Sequence, residues 1–154
     1  SGDMFAYKES TVAQIPVTEI TNSTLIKPQG RIFYAGNAAS FSIDYCTMYG
    51  WGGSKAMLEL GDKNTLGMSL AIKNTILANG GSNRKAHNAN AAANLSLTIE
   101  KVYGTNDMTF HSTLGDVTKY DKPSTEVFEN PEEGNFKIID ALFPSSIGDP
   151  RWKE

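Results

Sequence analysis

The sequence predicts an all-β protein: an antiparallel β-sandwich or jelly-roll-like core with extended N- and C-terminal arms. Three observations carry this. Gly, Ser, Thr and Asn take the weight that a helical bundle would give to Ala, Leu, Glu and Lys in periodic register. Several short segments alternate apolar and polar residues with a period of two. Turn residues separate those segments at short intervals. About seven to nine strands are expected at such lengths and spacings. The chain reads as a single domain over residues 1–154, with a β-core at about 31–117, an N-terminal arm at 1–30 and a C-terminal tail at 119–154.

Taken in order, "TVAQIPVTEI" places Val12, Ile15, Val17 and Ile20 around Pro16. Proline has no N–H to give a ladder, so this predicts an arm or an edge strand. Pro28 and Gly30 mark a turn before "RIFYAG". "SFSIDYCTMY" is the clearest strand, with Phe41, Ile43, Tyr45, Thr47 and Tyr49 on one face and Ser42, Asp44, Cys46 and Met48 on the other. The glycines of "GWGG" end it. "KAMLELG" is a short strand, and "TLGMSLAI" alternates Leu66, Met68, Leu70 and Ile72 against Gly67, Ser69 and Ala71. Residues 79–94 hold almost no large apolar side chain and predict an exposed loop, mobile or ordered by a neighbour. Residues 95–103 and 107–114, with Gly104, Thr105 and Asn106 between them, read as a hairpin. Beyond Lys119 only "NFKIIDALF" looks ordered, among Pro123, Pro131, Pro144 and Pro150. No internal repeat is visible.

Composition narrows the chemistry. The formal net charge is -3 and the pI about 5.4, so the surface as a whole carries no strong nucleic-acid signal. Cys46 is the sole cysteine, which excludes an intrachain disulfide and a cysteine-rich zinc site. No apolar run approaches the ~20 residues of a membrane span, and no signal peptide is seen. A catalytic Cys46 would need His87 or His111 as its base, and no local signature links either one to it. "GWGGSK" fits neither a phosphate loop nor a nucleophile elbow at Ser54. Asp44 and Glu59 are the first carboxylate pair to compare in space, and "NPEEG" the one acidic turn that could touch Ca²⁺. "SNRKAH" gathers Arg84, Lys85 and His87 into a local basic cluster. Asn22 and Asn94 open glycosylation triplets of the kind expected by chance in so Asn-, Ser- and Thr-rich a chain.

No catalytic residue, cofactor or metal site is therefore expected. The sequence points to a non-enzymatic structural subunit of a larger assembly, such as a virion coat or decoration protein or a surface-filament subunit. Its terminal arms would bury Val12, Ile15, Val17, Ile20, Phe136, Leu142, Phe143 and Trp152 against other copies or other structural subunits. A virion or extracellular location goes with that reading. The alternative is a carbohydrate-binding or adhesion module, with Tyr45, Tyr49 and Trp51 as an aromatic platform for a glycan.

Overall fold

The computed structural model describes residues 4–7, 15–61, 67–90 and 94–153. All statements of absence below concern those residues. The chain is all-β, but its sheets are parallel and wind into a β-solenoid of about three turns. This overturns the antiparallel sandwich or jelly roll. The virion coat expectation rested on a small β-core with long arms; the parallel solenoid replaces that core, and nothing in the fold points to a virion or capsid.

The first rung holds β1 (Phe5–Tyr7), β2 (Val17–Thr21) and β3 (Thr24–Ile26). The second holds β4 (Phe33–Ala35), β5 (Ser40–Asp44) and β6 (Thr47–Tyr49), and the third β7 (Leu58–Leu60), β8 (Met68–Lys73) and β9 (Ile76–Ala78). A shorter fourth has β10 (Leu95–Glu100) and β11 (Tyr103–Gly104), followed by β12 (Thr118–Lys119). Like strands stack into three parallel sheets: β1-β4-β7, β2-β5-β8-β10 and β3-β6-β9-β11-β12. The segment 17–29, assigned to an arm by sequence, is thus a rung of the stack.

Register stacks like on like. Ile20, Ile43, Ile72 and Ile99 form one inward column across the second sheet. Phe41, Leu70 and Leu97 form the next. These side chains, with Met48, Trp51, Leu58 and Leu77, fill the interior. Gly104 occupies the fourth level of the Leu25, Met48, Leu77 column. A Cβ there would lie 2.3 Å from the Phe110 ring, which fills that space instead.

The corners explain why the long strand at 41–49 is really two. The residue between the second and third strand of each rung is left-handed: Asn22 (φ 48), Tyr45 (φ 50), Asn74 (φ 44) and Lys101 (φ 52). Asn tolerates this conformation better than most residues, and it recurs here at two of the four corners. The turn at Tyr45 resets the alternation. Phe41 and Ile43 point inward before it, whereas Cys46 and Met48 do so after it.

Two further expectations fail for the same reason. The hairpin of 95–103 with 107–114 does not form, because Leu95–Glu100 pairs in parallel with Met68–Lys73. The stretch 79–90 is no free loop: Met57 and Leu58 donate their N–H groups to the carbonyls of Lys85 and Ala86, and Ala86 is fully buried. Residues 91–93 of that stretch lie outside the described residues.

The C-terminal segment covers the outer face of the third sheet. Helix α1 (Ser124–Val127) leads into an antiparallel pair, β13 (Phe128–Asn130) with β14 (Asn135–Ile138). Val127, Phe128, Phe136, Phe143 and Ile147 pack there with Tyr49, Ile76 and Ala78 of the sheet. This is why β6 and β9 are buried on both faces.

The end of the chain is latched to the first two rungs. The Thr24 hydroxyl donates to Asp149 Oδ2 at 2.7 Å and accepts from Trp152 Nε1 at 2.7 Å. The Asp149 N–H donates to Thr47 Oγ1 at 3.2 Å. Burial would raise the Asp149 carboxyl's pKa, but hydrogen bonds from Arg151 and Thr24 outweigh it and hold the value below the usual range.

Candidate functional site

The rungs bring several chemically active side chains together in a shallow groove beside the first sheet. Strand alternation turns Glu59 outward from β7, next to Tyr34 of β4. Arg31 Nη1 reaches Glu59 Oε2 at 3.3 Å and Lys55 Nζ reaches it at 3.7 Å. The Glu59 side chain is 15% exposed, so both cations neutralise a largely buried carboxylate. One rung further on, the backbone bonds at Met57 and Leu58 fix Lys85 and His87. The segment after β11 then closes the end. The His111 N–H donates to the Arg84 carbonyl at 2.8 Å, and the Ala86 N–H donates to Thr113 Oγ1 at 3.0 Å.

The resulting cavity, of about 360 Å³, is lined by Glu59, Lys85, His87, Asn88, His111 and Thr113 among others. Its two imidazoles are held in opposite senses. His87 Nδ1 lies 2.9 Å from the Asn88 carbonyl. A carbonyl only accepts, so Nδ1 carries the proton, and Nε2 of the neutral ring is an acceptor. His111 Nδ1 accepts the Thr113 N–H at 3.2 Å, capping the 3₁₀ turn at Ser112–Leu114. Its proton therefore sits on Nε2, which is a donor. Sequence singled out both histidines as candidate bases for Cys46, and His87 also as part of a basic cluster with Arg84 and Lys85. Their meeting is set by the fourth rung and the segment after it, and no local spacing shows it.

The other sequence candidates are dispersed. Cys46 is buried, its thiol 3.4 Å from the Ile20 carbonyl and 3.3 Å from that of Asp44. Burial pushes that thiol's pKa up, away from the thiolate a nucleophile needs. Asp44 lies on the second sheet, accepting from Asn74 Nδ2 at 2.8 Å, and does not meet Glu59 of the first. In the acidic turn, Glu132 accepts from the Tyr49 hydroxyl at 2.5 Å and faces Lys27 at 3.8 Å. No group of metal-ligating side chains occurs among the described residues. Of the basic cluster, Arg84 is structural, donating to the Gly53 and Ser82 carbonyls over the Trp51 ring. Lys85 makes no ion pair among the described residues. Asn22 serves as a left-handed corner.

The aromatic platform does not exist as a surface. Trp51 is fully buried in the solenoid interior. Tyr49 lies under the C-terminal segment, its hydroxyl pKa raised by burial and by Glu132. Only Tyr45 reaches the surface, with Lys153 Nζ 5.4 Å from its ring centre.

The apolar residues assigned to the arms divide. Phe136, Phe143 and Trp152 pack on the chain's own third sheet, and Ile20 points into the interior. Ile15 and Val17 are exposed on the first rung, at 54% and 64%. Leu142 is 80% exposed beside exposed Ile139. Val12 lies outside the described residues.

A family model described as "Domain of unknown function (DUF5123)" matches residues 41–152, well over half of the chain. The chain belongs to that family. No curated protein and no solved structure matches it. The matched stretch begins at Phe41 in the second rung and runs through the C-terminal latch, so the first rung lies outside the family's extent. No helix among the described residues is long and apolar enough to cross a membrane.

Proposed function

We propose that the chain is a non-enzymatic structural module that assembles with a second copy through the open edge of its first rung. The observation that carries this is the contrast between the two ends of the solenoid. Among the described residues, β1, β2 and β3 pair on one side only, with β4, β5 and β6. Phe5, Ile15, Val17 and Ile26 are all exposed on that same rung. At the far end Met108, Leu114 and Val117, from the segment after β11, pack onto the core and β12 pairs with β11, while β10 pairs with β8 alone among the described residues and its apolar side chains are half-buried.

Unpaired strand edges with apolar side chains recruit other strands. In this reading the apolar first-rung edge of one copy meets the same edge of a second. The contact is isologous, with edge strands running antiparallel across a two-fold axis. Each Val or Ile newly covered contributes roughly 1.5–3 kcal/mol by transfer, set against the cost of association.

The test is solution mass by light scattering across a range of protein concentrations. The expected result is a dimer. Val17→Lys combined with Ile26→Lys should return the chain to a monomer without changing its circular dichroism. A chain that stays monomeric at its highest soluble concentration would refute the proposal.

A further inference from the structure

We propose that the groove holding Lys85, His87 and His111 binds an oxyanion, a phosphate or carboxylate group carried on a small polar ligand. The groove lies toward the far end of the solenoid, and none of its lining residues belongs to the first rung, so the two readings stand independently.

Charge is the first argument. The chain carries a formal net charge of -3, yet Lys85 lines this groove with Glu59, the one carboxylate among its described lining residues, and Arg31 and Lys55 pair with Glu59. Glu59 is occupied by Arg31 and Lys55, whereas Lys85 is exposed and makes no ion pair among the described residues. It is the cation left to meet an incoming anion.

Hydrogen-bonding capacity is the second argument. The Thr113 N–H occupies Nδ1 of His111, so the free nitrogen of that ring bears a proton in the neutral form as well as the charged one. His111 thus offers a donor to the groove in either state. His87 offers an acceptor when neutral and a second donor when protonated, because its Nδ1–H is committed to the Asn88 carbonyl. One fixed donor, one adaptable imidazole and one ammonium suit a group with several acceptor oxygens.

The lining is the third. Its residues are Ser54, Ala56, Glu59, Lys85, His87, Asn88, Ala89, His111 and Thr113, with no Phe, Tyr, Trp or large aliphatic side chain, and every side chain but the two alanines is able to hydrogen-bond or carry charge. The cavity of about 360 Å³ is at the small end for organic ligands, which suits a compact polar one.

The experiment titrates the purified chain with inorganic phosphate and, separately, with citrate at matched ionic strength, following the imidazole Cε1–H resonances by NMR. Saturable shifts at His87 and His111 together are expected. Tighter binding of phosphate would assign a phosphate ligand, and tighter binding of citrate a carboxylate. His111→Asn keeps an oxygen to cap Thr113 but removes the donor to the groove. Lys85→Gln removes the charge at a surface position that the fold does not need. Each should weaken binding about tenfold, the equivalent of one charge-assisted hydrogen bond. Shifts that follow ionic strength without saturating would overturn the proposal, as would equal affinity in the Lys85→Gln chain.

Discussion

Replacing Phe136 with Ala should unfold the C-terminal latch from within a single chain. Phe136 is completely buried, and its ring meets Tyr49, Phe128 and Trp152 edge-on at centroid distances of 5.3, 5.5 and 5.8 Å. Truncating a buried Phe to Ala costs about 3–5 kcal/mol, made up of lost transfer energy and the cavity left behind. The upper half of that range applies here. Tyr49 is held in place by Asn79 and Glu132, and Trp152 by Thr24, so neither ring is free to collapse into the gap. For a chain of this size that corresponds to a fall in melting temperature of roughly 8–20 °C. The assay is urea unfolding followed by tryptophan fluorescence, repeated over a range of protein concentrations. The loss should be the same at every concentration, because the partners of Phe136 belong to its own chain. A loss below about 1 kcal/mol, or one that disappears as concentration rises, would refute the intrachain latch and return Phe136 to a subunit interface.

Trp51 is buried with its Nε1–H lacking a partner among the described residues, so Trp51→Phe removes an orphaned donor together with ring volume. The two terms oppose each other, and the expected net change is within about 1 kcal/mol by urea titration, whereas Trp51→Ala should cost about 3–5 kcal/mol. At the Asn74 corner, Asn74→Ala loses both left-handed tolerance and the bond to Asp44, for roughly 1–2 kcal/mol, while Asn74→Gly should recover about half. Equal losses in the two variants would sink the backbone argument. The Tyr120 hydroxyl at 2.6 Å and Lys122 at 2.9 Å hold the Asp140 carboxyl down to about 2, and Asp140 in turn raises Tyr120 to about 12. The depressed carboxyl contributes stability that is present above an ordinary aspartate value of about 4 and lost as pH falls toward about 2. The raised phenol contributes stability that is full below about 10 and lost as pH rises toward about 12. Asp140→Asn should flatten both limbs of the stability–pH curve, and an unchanged curve would remove this triad from the account. Cys46→Ala should keep the fold at a modest packing cost, and in the native chain the buried thiol should react with an aromatic disulfide reagent only on unfolding.

The sequence by itself determined that the chain is β-structured, and it located several strands correctly. Met68, Leu70 and Ile72 do alternate inward, as do Phe41 and Ile43, because a strand's period of two is a local property written in adjacent residues. It also showed that Cys46 lacks a local catalytic partner. What it could not show was the direction of pairing. A strand buried on one face reads the same whether its neighbour is parallel or antiparallel, and Gly104, expected in a hairpin turn, instead sits in β11 paired in parallel with Leu77. The repeat was hidden by its unevenness. Val17 pairs with Ser40, 23 residues on, Ser40 with Ser69, 29 residues on, and Met68 with Leu95, 27 residues on. Only the tertiary structure aligned Ile20, Ile43, Ile72 and Ile99 into one column. The fate of the C-terminal apolar residues was likewise a tertiary matter. Pro-broken segments carrying Phe and Trp need a surface, and sequence cannot say whose; β6 and β9, buried on both faces, supply it from the same chain. The groove was least legible of all. Glu59, the pair Lys85 and His87, and His111 lie on separate turns of the winding, and stacking at roughly 4.8 Å per rung converts distances of tens of residues into neighbouring side chains.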